Sequence, residues 1–151
     1  MVWIGASKAP AGCVFCNARD GGNDRESLVL ERGEHAFLIL NLYPYASGHL
    51  MAVANRHVRE LAAAQPAELG EMMRLAQRGV AALGAEYRPD GFNIGLNLGR
   101  AAGAGIEDHL HLHVVPRWNG DSNFINVVGE TRVLPETLDV TWQRLRGHLG
   151  G

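Results

Sequence analysis

Long apolar runs are missing from this sequence. Nowhere in its 151 residues does an apolar stretch approach the roughly 20 needed to cross a bilayer as a helix, and "MVWIGASKAPAGC" at the start has no basic cluster leading into an apolar segment. No membrane association is expected, and the expected location is the cytoplasm. A basic excess is missing too: 14 Lys and Arg face 16 Asp and Glu, for a formal net charge of −2. Nucleic acid is therefore not an expected partner, although a small phosphate-bearing ligand needs only a local cluster of donors. Cysteine is scarce. Cys13 and Cys16 stand alone as "CVFC", too few for a disulfide framework; in a reducing compartment such a pair reads as half a metal site or as a redox pair. Internal repeats, low-complexity tracts and linkers are absent, and 46% hydrophobic content supports one core. The expectation is a single domain over 1–151, with 1–12 loose.

The patterning that is present describes alternating layers. "ARDGGNDRE" (18–26) is a turn-rich polar stretch. "SLVLERGEHAFLILNLYPY" predicts two strands, 27–32 and 35–41, turning at Gly33 and Glu34, and "HLMAVA" predicts a third over 49–54. Pro66 suits a first helical turn, and Leu69, Met72, Met73, Ala76, Val80 and Leu83 follow at spacings of three and four, which predicts a long helix to about residue 87. A strand within 88–99, the histidine strand and a C-terminal helix from near Pro135 complete β-β-β-α-β-β-α. That order belongs to the α+β class with a mostly antiparallel sheet.

"EDHLHLHVVPRW" (107–118) holds His109, His111 and His113 at alternate positions. In a strand these share one face, about 6.5–7 Å apart, and Leu110, Leu112 and Val114 share the other. The outer pair, roughly 13 Å apart, cannot reach one ion, so a three-histidine metal cage is disfavoured. A satisfied polar face remains an alternative to nucleophilic or acid–base work on phosphorus. The preceding "GRAAGAG" lets backbone N–H groups approach an anion closely, yet it lacks the Lys-Ser/Thr of a P-loop.

"HLHLHVV" resembles the His-φ-His-φ-His-φ-φ signature of the histidine triad family of nucleotidyl hydrolases and transferases, φ being apolar. "LNLYPYASGHLMAVANRH" and "GFNIGLNLG" are similar to further family segments, so the resemblance covers about 13–118. "LNLYPY", "GLNLG", "HLHLHVVPRWNGDSNF" and "VLPE" most resemble the bacterial branch of diadenosine tetraphosphate (Ap4A) phosphorylases, extending the likeness to about residue 137.

The resemblance implies a five-stranded sheet with one long helix and a C-terminal helix, and an enzyme that passes a nucleotidyl group through a covalent bond to His111. It implies His113, His49, Asn97 and Asn41 around phosphate and ribose, with Gly105 in the phosphate loop and Trp118 near the base or second nucleotide. It implies a structural zinc on Cys13, Cys16, His57 and His109, no organic cofactor, and a homodimer. Two departures bear on the reaction. Asn41 stands where hydrolase branches have Asp, and Gly105 and Ile106 replace a Gln-Ser or Gln-Thr pair. Removal of that pair favours phosphate over water as acceptor, hence release of ADP and ATP from Ap4A. A hydrolase of dinucleoside polyphosphates or nucleoside phosphoramidates, and a non-catalytic nucleotide-binding module, remain the alternatives.

Overall fold

The computed structural model describes residues 12–122 and 134–150. The N-terminal stretch expected to be loose lies outside these residues except for its last position, as do the last two residues of "NGDSNF" and the first of "VLPE". Five strands form one sheet: β1 (Val29–Arg32), β2 (Ala36–Leu40), β3 (Leu50–Ala54), β4 (Gly91–Gly95) and β5 (His111–Arg117). Their order is β1-β2-β3-β5-β4, and every neighbouring pair is antiparallel. The helices are α1 (Val14–Asp20), α2 (Pro66–Tyr87) and α3 (Leu138–Leu149). The α+β expectation and the five-stranded sheet are thus observed. Among the described residues no helix is long and apolar enough to cross a membrane.

Alternation sorts the side chains onto two faces. Leu38, Leu40, Leu50, Ala52, Leu112 and Val114 pack with Met72, Leu75 and Leu83 of α2 and Leu145 and Leu149 of α3. Phe37, Ile39, Met51 and Val53 face the other way and are covered by Phe15 of α1. α2 starts where Pro66 predicted it. The carboxylate of Glu68 accepts from the Gln65 N–H at 2.8 Å and from the Arg56 guanidinium at 2.8 and 2.9 Å, so a nearly buried charge is fully paired.

Two sequence expectations need correction. α1 was not foreseen: seven residues containing one buried apolar side chain, Phe15, carry no detectable periodicity. The strand of histidines begins at His111, leaving His109 in a bend before it. There the Leu110 N–H donates to the Val58 carbonyl at 2.7 Å, and the His109 ring reaches Ala54. Contacts to distant segments of the same chain, not strand pairing, hold this residue. C-terminally, α3 opens at Leu138 with Thr137 as its cap, slightly later than Pro135 suggested.

The "SGH" turn into β3 depends on Gly48. Its φ is +79°, and a Cβ there would come within 2.5 Å of Leu83 Cδ2 on α2. Left-handed backbone costs a side-chain-bearing residue about 1–2 kcal/mol. Gly48→Ala is expected to lower unfolding stability by at least that amount, measured by urea denaturation, because Leu83 must also move. Unchanged stability would contradict this account of the turn.

Candidate active site and metal centre

Two clusters meet at the start of β5. In the first, His109 Nδ1 lies 3.2 Å from Cys13 Sγ and 3.7 Å from Cys16 Sγ, and His57 Nδ1 lies 3.4 Å from Cys16 Sγ. All four ligand atoms fall within 4.8 Å of one another. Tetrahedral zinc with bonds of 2.0–2.3 Å requires ligand separations of about 3.3–3.8 Å, which these contacts approach. His109 Nε2 donates to the Ala54 carbonyl at 2.7 Å, so Nδ1 is left with its lone pair toward the thiols. The residues present fit a closed Cys₂His₂ metal site. Without a cation, burial and the Cys13 thiol raise the pKa of Cys16; coordination to a divalent ion reverses that, because a bound thiol loses its proton. α1 carries Cys16 and Phe15, and Phe15 packs edge-on against His109 at 5.5 Å between centroids and tilted against His111 at 5.0 Å.

The second cluster is a chain of imidazoles with determined tautomers. Antiparallel register sets His111 opposite Val53 and His113 between Met51 and Gly95. His111 Nδ1 donates to the His109 carbonyl at 2.7 Å. Its Nε2 therefore keeps a lone pair, and no partner for it is found among the described residues. None of the described buried side-chain nitrogens lacks a hydrogen-bond partner, so this atom is reached by solvent. Further along, the Tyr45 N–H donates to His49 Nδ1 at 3.0 Å, and His49 Nε2 in turn donates to His113 Nδ1 at 2.9 Å. His113 is left with a proton on Nε2, beside a His111 ring whose Nε2 lacks one. His111 and His113 meet edge-to-face at 4.8 Å between centroids.

Burial lowers the pKa of His111, against the opposing pull of its bond to the His109 carbonyl. Burial, and secondarily His111, pushes His113 down to about 4. Both rings are thus neutral near pH 7: one a base, the other a hydrogen-bond donor.

Two cavities open on these groups. A cleft of about 960 Å³ is bordered by His113, Asn97, Tyr45 and Trp118 and extends to Tyr87 and Arg144. A smaller cavity of about 190 Å³ is bordered by His111, Asn97, Arg59 and Glu107. Asn97 stands between the two. His49 is fully buried behind His113, and the Asn41 amide lies 3.4 Å from its Nδ1 while accepting from the Tyr43 N–H at 2.9 Å. Gly105 is exposed and borders neither cavity, whereas Ile106 borders the smaller one. Sequence reasoning passed over Tyr45, which orders His49 and stacks near His113 at 6.1 Å, and Phe15. Both lay inside quoted motifs, "LNLYPY" and "CVFC", but neither carries a reactive group that would single it out.

The HIT domain sequence profile matches residues 23–120. This chain belongs to the histidine triad (HIT) family. The matched segment includes the histidine chain and leaves out Cys13 and Cys16. Among curated HIT relatives, the AP-4-A phosphorylase of Mycobacterium tuberculosis (strain ATCC 25618 / H37Rv) is 47% identical over 116 residues, which is 77% of this chain and 60% of that protein. The chain thus aligns with about three-fifths of that relative's length. An uncharacterized HIT-like protein of the same strain is 36% identical, covering 72% of this chain and 74% of the other. Among solved HIT structures, the Zn-bound histidine triad family protein from Mycobacterium smegmatis superposes with a TM-score of 0.74 at 29% identity, over 91% of this chain and 93% of that one.

The tautomer chain is open to measurement. A folded pKa of about 4 against an ordinary 6.5 means that the unfolded chain binds more protons between those values. His113 therefore contributes stability that is fully present above pH 6.5 and is lost progressively as pH falls toward 4. Imidazole ¹⁵N NMR is expected to show His113 neutral and protonated at Nε2 at pH 5.5. A ring that takes up a second proton near 6.5 would contradict the arrangement.

Proposed function

We propose that this protein is a phosphorylase that cleaves Ap4A to ADP and ATP through an adenylylated His111. The observation that carries this reading is the His111 ring itself: Nδ1 is committed to the His109 carbonyl, which leaves an Nε2 lone pair on a neutral ring that borders the smaller cavity. The likeness to a mycobacterial AP-4-A phosphorylase supports the substrate class.

In the first step Nε2 attacks the α-phosphorus, the bond to the bridging oxygen breaks, and ATP leaves with the electron pair. His113 donates its Nε2–H to a phosphate oxygen, and His49, held by Tyr45, keeps that proton in place. Asn97 serves the phosphates from its position between the cavities, and Asn41, which borders neither, is assigned a ribose hydroxyl by family likeness alone. Trp118 borders the larger cleft, whose volume of about 960 Å³ accommodates a nucleotide. Gly105, in the preceding loop, has open space around it but borders neither cavity, so no phosphate contact is assigned to it. In the second step an orthophosphate oxygen attacks the same phosphorus, the P–Nε2 bond breaks, and ADP departs. The Nδ1–H remains on the His109 carbonyl throughout, so neutral imidazole is regenerated without a proton transfer to the ring.

Product analysis on Ap4A with and without orthophosphate tests this directly. ADP is expected only with phosphate, and His111→Ala should lose activity by about 10³-fold or more while staying folded. Equal release of AMP and ATP without phosphate would assign a hydrolase instead, and an unchanged rate in His111→Ala would remove the covalent mechanism.

Zinc is the metal proposed for Cys13, Cys16, His57 and His109, as the ligand set and the Zn-bound M. smegmatis relative suggest. It would link α1 and the loop after β3 to His109. The same reading includes a cytoplasmic homodimer, for which edge strand β4 offers exposed Asn93, Ile94 and Gly95. Purified without added metal, the protein is expected to carry about one zinc per chain and to scatter light as twice 16.4 kDa. Less than about a tenth of an equivalent with normal stability would exclude the zinc, and a monomer at micromolar concentration would exclude the dimer.

A further inference from the structure

Resting on the phosphorolysis reading and extending it, we propose that the small cavity beside His111 is the site of the acceptor orthophosphate, with Arg59 anchoring the anion and Glu107 accepting the hydrogen bond of its P–OH. The volume of about 190 Å³ is room for about six water-sized groups at about 30 Å³ each. Orthophosphate, with five heavy atoms, fits; a nucleotide needs the several hundred cubic ångströms that the neighbouring cleft provides. The two sites share Asn97, and the His111 imidazole borders the smaller one directly.

Arg59 is the cation of this cavity, and its present contacts are loose. Its guanidinium lies 3.4 Å from Glu60, 3.9 Å from Glu107 and 3.4 Å from Asp108, all beyond the usual 2.7–3.2 Å of an N–H···O bond. Half exposed, it is free to turn its planar fork onto two phosphate oxygens. Glu107 is the better-buried partner, and Arg100 holds one of its oxygens at 2.8 Å from a nearly fully exposed position. The other Glu107 oxygen faces the Arg59 side.

Two carboxylates, Glu60 and Glu107, border this cavity and repel most anions, so a ligand that brings a proton to donate is favoured. Orthophosphate near neutral pH carries a P–OH that can donate to a carboxylate, whereas sulfate has no proton and meets only repulsion. Ile106 closes part of the same wall with an apolar side chain that offers a water no hydrogen bond. In the acceptor step a deprotonated phosphate oxygen forms the new P–O bond, the P–Nε2 pair returns to His111, and the P–OH proton stays on the β-phosphate of ADP. Glu107 receives a hydrogen bond and keeps its charge.

Arg59→Gln and Arg59→Lys in the full-length protein test the anchor by two readouts: isothermal titration with orthophosphate, and steady-state phosphorolysis with phosphate as the varied substrate. Arg59→Gln is expected to weaken phosphate binding and raise its KM by about tenfold or more, well beyond any change in ATP release from Ap4A without phosphate, with Arg59→Lys between it and the wild type. Glu107→Gln tests selectivity: sulfate should bind at least about tenfold more weakly than phosphate to the wild type, and that gap should shrink in the variant. An unchanged phosphate affinity in Arg59→Gln, an equal fall in both half-reactions, or an unaltered sulfate gap would overturn the assignment. Phosphate binding that requires Arg59 while no ADP forms would uphold the site and sink the phosphorylase reading; ADP formation indifferent to Arg59 would do the reverse.

Discussion

The rest of the site depends on three bonds made by one residue, His109. Its Nε2–H is given to the Ala54 carbonyl, its Nδ1 faces the two thiols, and its own carbonyl receives the Nδ1–H of His111. Each bond removes one freedom. The first chooses the tautomer of His109, the second turns its ring toward the Cys₂His₂ cluster, and the third chooses the tautomer of the next histidine. A displacement of His109 would thus reach the His111 ring through a single carbonyl. Phe15 adds a second mechanical route, since one ring between the two cysteines touches both imidazoles. The geometry of the candidate metal site and that of the His111 ring are here coupled through neighbouring covalent and packing contacts.

Burial then does electrostatic work. Desolvation disfavours the charged imidazole, which keeps His111 basic in the sense of retaining its lone pair and His113 neutral while still a donor. Two neutral rings side by side with opposite tautomers suit chemistry in which a nucleophile and a donor act on one phosphoryl group. Charged rings would serve worse: an imidazolium at His111 has no lone pair to attack with. The sheet supplies the rigidity, because His111 and His113 project from a strand paired on both edges.

The cavities divide by size and by charge. The larger lies along His113, Trp118, the end of α2 at Tyr87 and Arg144 in the middle of α3, and the smaller sits against His111 with its arginine and carboxylates. A transfer reaction with a large donor and a small acceptor matches that division, with Asn97 at the border. The dominant contrast with the hydrolase pattern, Gly105 and Ile106, falls on the side of the smaller cavity, where Ile106 forms wall and Gly105 is exposed.

Much of this was legible in the residues. Period-two and period-three-to-four patterning located the five strands and α2, because burial on one face must repeat with the element's geometry. Alternating histidines singled out the strand that borders the cavities, and "CVFC" with His57 and His109 gave, through family likeness, four residues that the fold brings close enough to hold a metal. α1 escaped because seven residues with one buried ring have no period to detect. The place of His109 before the strand escaped because its partners, Ala54 and Cys13, are 55 and 96 residues away along the chain. By itself the sequence determined which chemical groups are available and which faces they share. Only the tertiary structure decided which nitrogen carries the proton in His49, His109, His111 and His113, and that Arg59 and Glu107 border the same cavity as His111. Protonation and cavity walls are set by contacts between distant segments, which no local pattern encodes.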